Sequence, residues 1–185
     1  MRKVLIVAAS ALLLASGSVF ANGTHASHAK AANAVVASKV AATQAALRDL
    51  WVGHIFWVRE VARELADKDM SAVEVAEGKV VANARQIADA IEPFYGKAAA
   101  DQLFELLAGH YTAVKTHAQA TIAGDAAKSK QAFNELVANA GEISKFLSTA
   151  NPHLPQQALN SLLVAHGGHH VQQNEQIAKH DVAGE

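Results

Sequence analysis

The chain has 185 residues, with 16 Lys and Arg against 17 Asp and Glu, ten His and no Cys. The balanced charge offers no basic face for nucleic acid. The lack of thiols excludes disulfides, thiolate metal sites, a Cys nucleophile and covalently attached c-type haem. Hydrophobic residues make up 51%, rich in Ala and without turn-bounded alternation, which points to an all-α fold held together by its core.

In chain order, Arg2 and Lys3 precede an apolar stretch from Val4 to Phe20, and Val19 and Ala21 precede a cut expected after Ala21. Residues 1–21 therefore read as a signal peptide that exports the protein to the periplasm. The stretch is too short and too rich in Ala and Ser for a membrane span, so no stable span is expected after cleavage; the alternative is an uncleaved anchor. Loss of Arg2 and Lys3 takes the 16 basic residues to 14 against 17 acidic ones, a net charge of −3.

Residues 22–46 read as an N-terminal arm and helix extension, with 22–30 loose, and residues 47–180 as a helical bundle domain. The first helix is expected over about 31–66, with Leu47, Leu50, Trp51, His54, Val58, Val61 and Leu65 on one stripe. Asp67-Lys68-Asp69 ends it, and Ser71 with Glu74 suggests a capping box for a second helix. That helix closes at Pro93 and Gly96. A third helix is expected over about 98–123, stopped by Gly124-Asp125, and a fourth over about 126–148, stopped by Asn151-Pro152. A fifth starts near Pro155 and reaches toward Lys179, weakened in the middle by Gly167-Gly168.

An internal repeat underlies these helices. VANARQI at 81–87 returns as VANAGEI at 137–143, an offset of 56 residues, and the same offset relates LWVGH at 50–54 to LLAGH at 106–110 and LLVAH at 162–166. The unit is a helical hairpin, present twice and followed by the first helix of a third copy, which predicts an up-and-down antiparallel four- or five-helix bundle. The midpoint of His54 and Asn83 falls within Asp67-Lys68-Asp69. The midpoint of Asn83 and His110 falls at Gly96-Lys97, that of His110 and Asn139 at Gly124-Asp125, and that of Asn139 and His166 at Pro152-His153. All four are expected turns. His54, Asn83, His110, Asn139 and His166 are therefore expected at one height, facing inward. Gly53 and Gly109, at a helix-interior cost of about 1 kcal/mol each, suggest close helix approach or room for a ligand.

Buried imidazoles and carboxamides left unpaired cost about 1–3 kcal/mol each. Either they pair with one another in a hydrogen-bonded network that fixes register, or something bound between them satisfies them. The bound group would be a transition metal, zinc or copper, on His54, His110 and His166, or an organic small ligand. In the metal case Asn83 and Asn139 orient the imidazoles, and Trp57 and Trp51 wall the pocket or serve as core aromatics. His169 and His170 follow His166 by one helical turn and could add ligands, although a solvated, frayed helix is the favoured reading; His117 lies two turns beyond His110 on the same side, which a wet bundle end explains equally well. Glu142 is the one acid near the layer. Glu-x-x-His, His-Glu-x-x-His, Gly-x-Ser-x-Gly and phosphate-binding glycine loops do not occur, so a binding protein is expected rather than an enzyme. The rival from that class is a hydrolase or redox enzyme using one layer histidine as a general base.

The segment LWVGHIFWVRE, with EPFYG after the second helix and FLSTANP after the fourth, resembles a poorly characterised family of bacterial helical-bundle proteins. The resemblance covers roughly residues 47–170. It implies a helical bundle and points to His54, Trp57, His110 and His166. The chain departs from the family pattern at Val58, where Thr is usual, and in its HGGHH run.

Overall fold

The computed structural model describes the backbone of residues 23–184, with side chains from residue 37 onward. The expected signal peptide and its cut lie outside the described residues. All regular structure among the described residues is helical: α1 (Gly23–Asp67), α2 (Met70–Asp89), the single-turn α3 (Glu92–Tyr95), α4 (Lys97–Ile122), α5 (Ala126–Ala150) and α6 (Gln156–Ala178). The chain divides between Asp49 and Leu50 into two compact units. The first is described by the N-terminal part of α1. The second holds the remainder of α1 and all other helices.

Two expectations about the elements are corrected, and α6 has its expected extent without the expected weakness. Residues 23–30, expected to be loose, are the first turns of α1. The cap of α2 is Asp69, whose carboxylate accepts from the Ala72 N–H at 3.0 Å, and not Ser71. Helix α6 runs unbroken through Gly167-Gly168, because Gly167 is buried against Leu136 and packing outweighs propensity.

The turns before α2 and α5 are built alike. Lys68 and Gly124 take positive φ angles of 62° and 73°. Each is followed by an Asp N-cap: Asp69 bonds to Ala72 N–H, and Asp125 to Lys128 N–H at 2.9 Å. The next amide reaches back across the turn in both, from Asp69 to the Glu64 carbonyl (3.0 Å) and from Asp125 to the Ala120 carbonyl (2.8 Å). These bonds satisfy carbonyls that the helix end leaves open.

Helix α4 packs against α2, α5 and α6, and α5 also packs against α6. The core joins Val58 and Val61 of α1, Ala76 and Val80 of α2, Ala113 and Val114 of α4, and Leu136 of α5. Each fully buried Val or Leu contributes roughly 1.5–3 kcal/mol. A smaller cluster joins Ala62, Ala118 and Ile177. Polar links pin α2 to α4 at the rim: Tyr111 donates to the Glu77 carboxylate at 2.9 Å, Lys115 pairs with the same carboxylate, and Arg85 pairs with Asp101 at 3.1 Å. None of the helices among the described residues is long and apolar enough to cross a membrane.

Candidate metal centre

Three helices deliver histidines to one place. His54 comes from α1, His110 from α4, and His166 and His170 from successive turns of α6. His54, His110 and His170 are only 6%, 4% and 4% exposed. The ring of His166 lies 5.6 Å from that of His54 and stacks on that of His110 at 5.7 Å with an 11° tilt between planes. The predicted histidines therefore converge, with His166 at the centre.

His170 joins them, which favours the reading of it as an added ligand over that of a frayed end. Its ring meets His54 edge-on at 5.6 Å, and its Nε2 lies 3.2 Å from His166 Nε2. One ligand nitrogen from each of His54, His166 and His170 falls within 4.8 Å of the other two. That trio replaces the expected His54, His110 and His166 as the tightest group. The signal that should have outweighed the frayed reading was helical spacing. His166, His170 and Asn174 follow at i, i+4 and i+8, an inward polar stripe that the two glycines obscured.

Each carboxamide bonds to the carbonyl one helical turn before a histidine. Asn83 Nδ2 donates to the Leu50 carbonyl at 2.9 Å, and Asn139 Nδ2 to the Leu106 carbonyl at 3.0 Å. Gly109 eases this approach, since a Cβ there would stand 3.2 Å from Asn139 Nδ2, whereas one on Gly53 would stand 3.4 Å from Asn83 Nδ2, an ordinary contact. With its NH₂ committed to a carbonyl, Asn139 turns Oδ1 toward His110 Nδ1 at 3.1 Å. An amide oxygen only accepts, so Nδ1 of His110 carries the proton and Nε2 is left with its lone pair. That Nε2 is buried without a partner, as are both ring nitrogens of His54 and Oδ1 of Asn83.

Burial keeps the rings neutral. It is the largest cause of the depression of His54 to about 3, of His110 to about 4 and of His170 to about 2, with neighbouring imidazoles adding to it. His166 is lowered by burial and by His169. Neutral imidazole is the form that binds a metal.

Other predicted residues lie elsewhere. Trp57 packs on the aliphatic core and edge-on to Phe56. The indole that meets the imidazoles is Trp51, edge-on to His54 and His166 at 5.5 Å each. Glu142 is exposed, as is His169. His117, expected at a wet bundle end, is 3% exposed. Its Nδ1 lies 3.3 Å from Asn174 Nδ2, which also donates to the Val114 carbonyl at 3.2 Å, tying α6 to α4.

No family model, curated protein or solved structure matches this chain.

Proposed function

We propose that this is an exported, periplasmic helical-bundle protein that binds a transition metal, zinc or copper, through its buried histidine cluster. One observation carries the reading: three imidazoles present nitrogens within 4.8 Å of one another, while neither nitrogen of buried His54 has a hydrogen-bond partner. Two nitrogens about 2.0–2.1 Å from a tetrahedral ion stand about 3.3 Å apart, close to the 3.2 Å between His166 and His170. An all-imidazole set without thiolate suits zinc and copper among the common ions. Asn139 fits the role of an outer partner that fixes the tautomer of His110.

The alternative is a structural or small-ligand-binding bundle whose His/Asn layer is a hydrogen-bonded network. The Leu106–Asn139–His110 chain supports it. It leaves His54 unsatisfied at a cost of about 1–3 kcal/mol per nitrogen, and so fits less well. The up-and-down hairpin repeat draws support from the twin Asn-to-carbonyl bonds and the twin Asp caps. The family of the Leu-Trp-x-x-His-x-x-Trp helix remains our reading of the first segment. We take the protein as a binder rather than an enzyme, since Glu142, the acid the sequence offers near the layer, is turned to solvent.

The test is calorimetric titration of the folded protein with Zn²⁺ and with Cu²⁺. One ion per chain is expected. His54→Leu, His166→Leu and His170→Leu should each weaken binding at least tenfold while circular dichroism stays helical. Affinity unchanged in all three variants would place the metal elsewhere.

A further inference from the structure

Asn83 and Asn139 stand in matching places. Each donates its NH₂ to a carbonyl 33 residues earlier, and each lies 29 residues after a cluster histidine. In the second case the arrangement is complete, because Asn139 Oδ1 receives the Nδ1–H of His110. In the first it is open: Asn83 Oδ1 has no partner, and neither has His54 Nδ1 or Nε2, although all three atoms are buried. An acceptor on Asn83 and the ring nitrogens of His54 are thus buried and unpaired, where their counterparts on Asn139 and His110 are joined.

We infer that metal loading turns the His54 ring so that Nδ1–H donates to Asn83 Oδ1, making Asn83 the residue that positions His54 to ligate through Nε2. The inference rests on the metal-binding reading above. The carboxamide is already held for this, since its NH₂ donates to the Leu50 carbonyl at 2.9 Å. The new bond decides the tautomer. With the proton held on Nδ1, the lone pair of Nε2 is free for the ion, as it already is in His110. It also satisfies three orphaned atoms at once, two by hydrogen bonding and one by ligation. Part of the binding free energy therefore comes from repairing the apo site rather than from the metal bonds alone. Asn139 is built in advance, whereas Asn83 engages only on loading. Asn83 thereby ties occupancy of the site to the packing of α1 on α2.

Zn²⁺ is the probe, because it is diamagnetic and leaves histidine nitrogen resonances readable. On saturation of the full chain, long-range proton–nitrogen spectra should show His54 as the Nδ1–H tautomer with slowed solvent exchange. Asn83→Ala should lose that protection and weaken Zn²⁺ binding about 10–100-fold, the usual effect of losing such a partner. Asn83→Asp, which keeps an acceptor oxygen but loses the NH₂ that holds it to the Leu50 carbonyl, should restore only part of the affinity. In a His54→Leu background, Asn83→Ala should have no further effect, which a merely structural role would not produce. Zinc bound with His54 protonated on Nε2, or an equal loss from Asn83→Ala with and without His54, would overturn this inference and leave metal binding intact. No zinc uptake by the unaltered protein would overturn both.

Discussion

His54 sits 6% exposed with two ring nitrogens unsatisfied, in contact with Trp51, His166 and His170. A residue so placed is a liability to the metal-free fold, which is the usual mark of a side chain retained for function. Its titration has the same sign. The unfolded chain binds protons near the ordinary histidine value of 6.5, whereas folded His54, His110 and His170 resist protonation down to about 3, 4 and 2. The unfolded state therefore holds more protons between these limits. Stability is fully present above pH 6.5 and declines as pH falls toward the folded values, by up to about 1.4 kcal/mol per pH unit for each histidine. Between pH 7.5 and 5.5 the urea midpoint of the metal-free protein should fall, while surface carboxylates stay ionised. His54→Leu should raise the midpoint at pH 7.5 and flatten its slope with pH. A His54→Leu midpoint below that of the parent would mean that the imidazole is satisfied after all.

At the scale of the element, the two glycines of HGGHH do different work. A Cβ at Gly167 would come within 3.0 Å of the buried Leu136 side chain, whereas one at Gly168 would meet nothing within 4 Å. Gly168→Ala should therefore stabilise the protein by up to about 1 kcal/mol through helix propensity. Gly167→Ala should destabilise it by about 1–3 kcal/mol through overpacking. Thermal unfolding of the two variants checks the contrast, and equal effects would contradict this packing. The pair also marks how far the elements were legible. Helix positions and turns followed from Ala-rich stripes and from the breaks at Lys68, Gly96, Gly124 and Pro152, because those signals are local. The extent of α6 was legible but its firmness at Gly167-Gly168 was not, because a Gly-Gly pair looks the same whether a neighbouring helix presses on it or not. The same ambiguity favoured a frayed end over a ligand role for His170. The cap of α2 was misread for a similar reason: Asp69 and Ser71 are both good capping residues, and only the path of the turn chooses between them.

For the whole molecule, spacings between His and Asn that alternate between 29 and 27 residues were enough to anticipate that His54, His110 and His166 would meet. Those spacings say how high a residue stands in a helix, and height is what the turns fix. They say less about which ring leans on which. For that reason the tight trio contains His170 and not His110, and Trp51 rather than Trp57 borders it. The result is a charge-neutral nest of imidazoles held by three helices, with one histidine already oriented by Asn139 and another still waiting for Asn83. The most direct measurement is X-ray absorption at the metal edge of protein loaded with one equivalent of zinc or copper. Metal binding in this cluster predicts a first shell dominated by imidazole nitrogen at about 2.0–2.1 Å, with at least three histidines, reduced in His170→Leu. A shell of carboxylate and water oxygens, unchanged by His170→Leu, would contradict it.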